Sequence, residues 1–349
     1  MTTILATGGL GFIGSHTCAV LLEQGSNVLA IDSLENSSEK VFSQINKILS
    51  LSSSNKKGRF DFIKGDVRNK DFLRIIFERY KSSGKDIDSV IHFAGLKAVA
   101  ESILNPLRYW DMNINSTISL LQIMDEFKCR NLIFSSSATV YKTKQILNKK
   151  FTEESDLFPI NPYGNTKFAI ERILSDISFS SPESWKIANL RYFNPVGAHS
   201  SGLIGENPLE EPNNLLPVLI KVLNTQEKEL SIFGNDWPTK DGTCVRDFIH
   251  VMDLAEAHAA ALNFLLVNPP QNININIGTG TGTTVLELVE SFMKINKCKI
   301  PYVFADRRLG DAPYSVADNS KALKLLEWQP KRTIKDICED AWRWNINYN

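Results

Sequence analysis

Through the first half of the chain, short apolar runs alternate with amphipathic stretches, the pattern of a parallel sheet covered by helices on both faces. Six runs read as strands: Ile4 to Thr7, Asn27 to Asp32, Arg59 to Lys64, Ser89 to Phe93, Asn131 to Ser135 and Ile187 to Tyr192. They are too apolar to alternate, which predicts burial on both faces between helix layers. Between them the helical period shows, as in Val41, Ile45, Ile48 and Leu49 ahead of the polar loop Ser52 to Gly58. The expected fold class is α/β, a doubly wound Rossmann-type parallel sheet with a smaller α+β lobe.

Past Asn194 the pattern breaks. Pro195, Gly197, Gly202, Gly205, Pro208, Pro212 and Pro217 crowd a stretch with little periodicity, so a loop-rich second lobe is expected over 194–349, after a first domain over 1–193. The segment Val245 to Val251, a helix over Asp253 to Val267 and a strand over Ile273 to Ile277 regain βαβ character. The chain is therefore expected to return to the first sheet over 243–278. A last helix is expected over Thr333 to Asn347, carrying Trp342 and Trp344.

At 349 residues, 43% hydrophobic and 22% charged, the chain reads as globular, with about two domains at roughly 150 residues each. Lys plus Arg and Asp plus Glu both number 39, which argues against electrostatic capture by nucleic acid or acidic membrane. Cys18, Cys129, Cys244, Cys298 and Cys338 are scattered and lack Cys-x-x-Cys spacing, so neither a disulfide framework nor a zinc site is expected. No apolar run nears the ~18 residues of a membrane span and no signal-peptide start is seen, so a cytoplasmic location is expected. His16, His92, His199, His250 and His258 show neither metal spacing nor a Gly-x-Ser-x-Gly partner and read as core or capping residues; no metal is expected. Lys142, Lys144, Lys149 and Lys150 lack interleaved aromatics and read as a solvated loop.

The first strand runs into Thr7-Gly8-Gly9-Leu10-Gly11-Phe12-Ile13-Gly14. Glycines there permit the tight turn and let a pyrophosphate approach the free N–H groups of the following helix. Asp32 closes the second strand, where a carboxylate can accept adenosine ribose hydroxyls. Its charge repels a 2′-phosphate, and no Arg follows in Ser33-Leu34-Glu35-Asn36, so NAD is favoured over NADP. Gly65-Asp66-Val67 and Ala94-Gly95 end the next two strands, at the sheet edge a dinucleotide crosses; Asp66 reads equally as a helix N-cap. The cluster Gly278 to Gly282 has no acidic residue at the required distance and reads as a turn.

Tyr163-Gly164-Asn165-Thr166-Lys167 follows Pro162, a first-turn residue, which sets Tyr163 and Lys167 on one helix face. A phenol of pKa about 10 is a poor base at neutral pH, and a nearby ammonium or bound NAD+ is expected to lower that value. The fifth strand leads into Ser135-Ser136-Ser137, placing a hydroxyl at the carboxyl edge of the sheet.

With the glycine loop, Ser137 and Tyr163-x-x-x-Lys167, the chain resembles the extended short-chain dehydrogenases/reductases. Four runs, His92 to Val99, Phe134 to Tyr141, Leu190 to Ala198 and Phe233 to Asp236, make it similar to the UDP-glucose 4-epimerase family over nearly its whole length. The resemblance implies that tightly bound NAD oxidises C4 of a UDP-hexose and returns the hydride to the other face. It thereby interconverts UDP-glucose and UDP-galactose in galactose and nucleotide-sugar metabolism. It implies Tyr163 as proton acceptor, Ser137 orienting the 4-hydroxyl, and Lys167 binding the nicotinamide ribose. The cofactor set it implies is Gly8, Gly11, Phe12, Ile13, Gly14, Asp32, Ser33, Asn36, Ser37, Asp66, Val67, Phe93, Ala94, Gly95, Lys97, Tyr163, Lys167 and Phe193. The UDP-sugar set is Lys97, Ser137, Tyr163, Asn194, Asn214, Leu215, Phe233, Arg246, Arg308, Asp311 and Ser315.

Lys142, Met112 and Cys244 depart from the family pattern, whereas Phe12 and Asn113 keep it. Ser315 stands where the family faces the sugar 2-substituent. A small residue there implies room for an N-acetyl group, provided that Tyr314 does not take its place; Gly310-Asp311 and Ala317-Asp318 fix the register. A homodimer through Leu107 to Phe127 and Tyr163 to Ile177 is a further family expectation. Two readings compete. A nucleotide-sugar 4,6-dehydratase needs an acid and a base after the fifth strand, where Ala138-Thr139-Val140 stand. A non-catalytic NAD-binding regulator has no need of Ser137, Tyr163 and Lys167 together.

Overall fold

A computed structural model describes residues 2–142, 149–209, 211–225, 229–308 and 311–348; Lys144 and Gly310 lie outside the described residues. In chain order the strands are β1 (Thr3–Thr7), β2 (Asn27–Asp32), β3 (Phe60–Lys64), β4 (Ser89–His92), β5 (Asn131–Ser137), β6 (Lys186–Tyr192), β7 (Asn194–Val196), β8 (Leu230–Phe233), β9 (Val245–Arg246), β10 (Phe248–His250), β11 (Gln271–Ile277), β12 (Thr283–Thr284), β13 (Tyr302–Ala305) and β14 (Tyr314–Ser315). The helices are α1 (Phe12–Glu23), α2 (Lys40–Leu51), α3 (Lys70–Ser82), α4 (Val99–Leu104), α5 (Pro106–Trp110), α6 (Ser116–Glu126), α7 (Pro162–Ser180), α8 (Leu215–Thr225), α9 (Val251–Val267), α10 (Val285–Asn296), α11 (Ser320–Leu326) and α12 (Ile334–Tyr348).

Seven strands pair in the order β11-β6-β5-β4-β1-β2-β3, all parallel. The order reverses between β1 and β4, and in such sheets ligands bind outside the carboxyl ends of the strands at that point. Burial on both faces follows from the sequence. Ile4 and Ala6 of β1 join a core with α1 and α9, while Leu5 joins the opposite core with Leu73 of α3 and Leu120 of α6. Buried residues run around α1 from Gly14 to Leu22, because it is wedged among sheet, α2 and α9. α3 buries one stripe, Leu73, Ile76 and Phe77.

The expected return to the sheet is present: β11 pairs with β6, and α9 packs on α1. The expected continuous segment Val245 to Val251 is instead broken at Asp247. That buried carboxylate accepts from Thr279 N at 2.7 Å, Thr279 Oγ1 at 2.6 Å, Gly280 N at 2.9 Å and Ala317 N at 3.1 Å. β9 therefore joins β12 and β14, whereas β10 joins β7, and the Gly278 to Gly282 cluster is a turn wrapped on a carboxylate. The expected helix from Leu107 is interrupted by a π turn over Asp111–Asn115. A third core, with Leu219, Phe292 and Ile337, fastens α8, α10 and α12.

The histidines are core or capping residues as expected; His250 Nδ1 accepts from Met252 N at 3.1 Å at the start of α9. All five cysteines are free. Among the described residues no cluster suits a metal, and no helix is long and apolar enough to cross a membrane.

Candidate active site

The glycine loop leaves β1 and turns into α1 at the switch point. Gly8 has φ +67°, and a Cβ there would lie 2.8 Å from Ala94 N, so the loop abuts the end of β4. A Cβ on Gly14 would meet Gly8 O at 2.3 Å, the close helix–strand approach that the third glycine allows. Gly11 differs. A Cβ there meets only Gly8 O, at 3.3 Å, with open space beyond. No side chain caps α1, whose first turn carries no acidic residue, so its leading N–H groups face that space. The cradle fits an anionic pyrophosphate.

Asp32 sits beside it, buried. Its Oδ2 accepts from Leu10 N at 3.0 Å, and Oδ1 from Leu34 N at 3.0 Å and the Ser37 hydroxyl at 2.8 Å. Three of about four lone-pair sites are taken, so a ribose claiming both hydroxyl contacts must displace Ser37. Leu34 holds φ +64°, which folds the chain back over the carboxylate. Ser33 is exposed, and Asn36 Oδ1 accepts from Leu209 N at 2.9 Å. Asp66 is not the cap of α3: Asn69 Oδ1 takes Phe72 N at 3.0 Å, while Asp66 pairs with Arg68 at 2.7 Å. That hydrogen bond holds the Asp66 carboxyl below its ordinary range. Val67 is buried in the core, so only its backbone is free to meet a ligand. The Phe93 ring lies 4.9 Å from that of His258, and Phe193 is buried beside Val140 and Tyr141.

At the other end, Asn161 caps α7 by accepting from Gly164 N at 2.8 Å. Tyr163 and Lys167 then share a face directed at the end of β5. Lys167 Nζ donates to Ser135 O at 2.7 Å and lies 5.8 Å from the Tyr163 ring centroid. Ser137 acts on the Tyr163 hydroxyl as a neighbouring polar group and accepts from Thr139 Oγ1 at 3.0 Å. Burial pushes the Tyr163 phenol up to about 12, opposed by Ser137. Burial also pulls the Lys167 ammonium down to about 7, against the attraction of Glu171. The expected lowering of the tyrosine pKa is thus not met in the protein alone: desolvation of the phenolate wins.

The expected substrate residues fall into two further groups. In the first, Arg308 stacks 3.9 Å over the Phe233 ring, and Arg246 donates to Ala312 O at 2.7 Å and Asp311 Oδ1 at 3.2 Å. Ser315 stands opposite Arg246 in the β14–β9 pair and Tyr314 opposite Val245. Residues in register share a side of the sheet, so Ser315 lies on the Arg246 side and Tyr314 on the other, near Gly282. The second group meets on Glu206, whose Oε1 accepts from Lys97 at 2.7 Å and from Asn214 Nδ2 at 2.6 Å. Leu215 opens α8 beside it, and Asn194 N donates to Asp247 O at 3.0 Å.

Two residues at the site, Glu206 and Glu171, escaped the sequence reading, and Asn113 entered it only as a match to the family pattern. Glu206 bridges the lobes, and no local spacing signals such a pairing. Asn113, in the π turn, accepts from Leu96 N at 2.8 Å and donates to Thr166 Oγ1 at 2.9 Å, bracing the loop after β4 against α7. Glu171 follows Lys167 by four residues on α7, a signal present in the sequence.

The family model described as GDP-mannose 4,6 dehydratase matches residues 5–341. The chain is 47% identical over 342 residues to the bifunctional UDP-glucose 4-epimerase and UDP-xylose 4-epimerase 3 of Arabidopsis thaliana, covering 98% of this chain and 94% of that one. It is 44% identical over 347 residues to a UDP-glucose 4-epimerase of Bacillus subtilis strain 168, covering 99% and 98%. Among solved structures it is similar to the UDP-glucose 4-epimerase of Bifidobacterium longum in complex with NAD+ and UDP, with TM-score 0.90 and 41% identity over 99% of this chain and 98% of that one.

Proposed function

Because the chain belongs to the UDP-glucose 4-epimerase family of extended short-chain dehydrogenases/reductases, we infer that it is an NAD-dependent isomerase that interconverts UDP-glucose and UDP-galactose at C4. The observation that carries this reading is the meeting of Ser137, Tyr163 and Lys167 at the edge of the sheet that also holds the glycine cradle. NAD fits the cradle at Gly11, the uncapped start of α1 and the carboxylate of Asp32. When bound it supplies a two-electron acceptor that returns to C4 what it took. Tyr163 takes the proton of the 4-hydroxyl and gives it back, Ser137 orients that hydroxyl, and Lys167 holds positive charge beside the phenol. UDP is anchored by Arg246, Arg308 and the Phe233 ring, with Lys97 and Asn214 closing from the Glu206 side. The hexose is held loosely enough for its keto form to present either face. In this reading 1–193, with the return over 243–278, binds NAD, and the remainder binds UDP-sugar.

The dehydratase named by the family model needs a positioned acid and base next to the substrate. Ala138 and Thr139 stand there, and Thr139 is committed to Ser137. A cofactor-binding regulator would leave the juxtaposition of Ser137, Tyr163 and Lys167 without purpose. The test is incubation with UDP-galactose without added NAD: UDP-glucose is expected to form, and its absence overturns the reading. Extracted protein is expected to yield NAD; predominant NADP contradicts the role of Asp32.

Ser315 gates the sugar 2-substituent, a role supported by its sharing a side with Arg246 while Tyr314 turns away. UDP-N-acetylglucosamine is therefore expected to be epimerised as well. Ser315→Tyr should remove that activity selectively, since overpacking an acetamide costs about 1 to 3 kcal/mol, roughly 5- to 150-fold. Wild-type turnover of unacetylated sugars alone, or an unchanged substrate ratio in the variant, defeats the assignment.

A homodimer completes the reading. Leu107, Trp110 and Ile118, within the expected stretch Leu107 to Phe127, are exposed apolar residues, and exposed apolar surface marks association sites. Sedimentation of a monomer at micromolar concentration would refute it. A cytoplasmic location, which cell fractionation tests, is consistent with five free cysteines.

A further inference from the structure

The stripe of α7 that presents Tyr163 and Lys167 carries a third polar residue. Glu171 follows at the same four-residue interval, so the three side chains line one face. Its carboxylate is buried and fully engaged. Arg191 donates to it twice, Nη2 to Oε2 at 2.7 Å and Nε to Oε1 at 3.0 Å, and the Ser136 hydroxyl donates to Oε1 at 2.5 Å. Ser136 lies between Ser135, whose carbonyl holds Lys167, and Ser137, the polar neighbour of the Tyr163 hydroxyl. Arg191 is itself fixed by Tyr141 Oη at 3.0 Å and Glu153 O at 3.2 Å, and Tyr141 donates to Asn276 Oδ1 at 2.5 Å. One carboxylate thus joins α7 to β5 and β6, and through Arg191 and Tyr141 to β11.

We propose that Glu171 is a positioning residue for the reacting pair: its fixed negative charge, one helical turn beyond Lys167, keeps the ammonium charged, and its bond to Ser136 sets the strand end that carries Ser137. The proposal rests on the epimerase reading of Tyr163 and Lys167. The titratable and charged groups around Lys167 are Tyr163 and Glu171 on α7, Arg191 and Tyr192 on β6, and His92 on β4, with His258 of α9 behind Tyr192. Burial, reinforced by the Lys167 charge, drives His92 down to about 3, so it is neutral; burial drives Tyr192 up, so it is neutral too. Burial lowers His258 to about 4. Of these groups Glu171 alone is an anion, and it opposes the burial that brings Lys167 down to about 7. Removing it lowers that value further, so the ammonium is lost at lower pH as pH rises.

A buried ion pair is the ordinary structural device, and replacing both members by neutral groups of similar volume is often tolerated. Glu171→Gln/Arg191→Met therefore separates the two roles. The double variant is expected to fold, with the alkaline limb of its kcat–pH profile displaced downward by about one unit. The 13C resonance of the Lys167 side chain, assigned by its loss in Lys167→Met, should titrate lower by the same amount without substrate. Glu171→Asp, which keeps the charge, should return both readouts toward wild type even if the double variant does not fold, and Ser136→Ala should lower kcat without moving either pH. A folded double variant with wild-type titration, or Glu171→Asp displaced as far as Glu171→Gln, overturns the proposal. Wild type without epimerase activity would overturn the function instead, leaving the resonance titration as the test of Glu171.

Discussion

Tyr163→Phe is expected to lower turnover by roughly 10²- to 10⁴-fold, the range for a general acid–base group, while UDP binding survives. The substitution deletes one oxygen and leaves the ring in place on the α7 face. In the protein alone the phenol is pushed up to about 12 by burial, so it is protonated near neutral pH. The proton must therefore move within an arrangement that supplies positive charge, and Lys167 and bound NAD are its sources. Ser137→Ala, which removes an orienting hydrogen bond and not the acceptor, should cost less. Steady-state turnover together with calorimetric UDP binding checks the pair of claims. Near-normal turnover of Tyr163→Phe would end the assignment of the proton acceptor.

Lys167→Met is expected to reduce turnover by roughly 10²- to 10³-fold, the scale for losing one preorganised electrostatic contact, and to loosen the cofactor. Methionine keeps the length and apolar stem but loses the charge and the 2.7 Å bond to Ser135 O. Because burial pulls the Lys167 ammonium down to about 7, wild-type activity should fall as pH rises through Lys167's pKa in the working complex. The variant should lack that limb. The checks are the pH profile and the amount of dinucleotide retained per purified chain. An unchanged profile would separate Lys167 from the chemistry of Tyr163.

What could be read from the sequence was carried by short spacings. The glycine loop, Asp32 after β2, and Tyr163 four residues before Lys167 each lie within one element or its immediate end, so residue type and interval determine their placement. The strands of the seven-stranded sheet were legible for the same reason, although β5 extends to Ser137 because β6 pairs with it as far as Tyr192. Features set by distant partners were not legible. Asp247 splits an apolar run because it collects donors from residues 279, 280 and 317. Asp66 read equally as a ligand residue and as a cap; Asn69 is better placed for Phe72 N, and Arg68 claims the aspartate. The shift of Tyr163 was misjudged because an interval locates a lysine without revealing how far water is excluded from the phenol. Glu206 gathers Lys97 and Asn214 across 109 and 8 residues, a meeting visible only once the lobes are folded together.

The most direct test follows a deuterium at C4 of UDP-galactose through conversion by the purified protein with no NAD added. If C4 is oxidised and reduced within one closed site, UDP-glucose should appear with the deuterium retained at C4. Formation of UDP-glucose with the label washed out into water, or conversion only when NAD is supplied as a consumed reagent, would contradict the account.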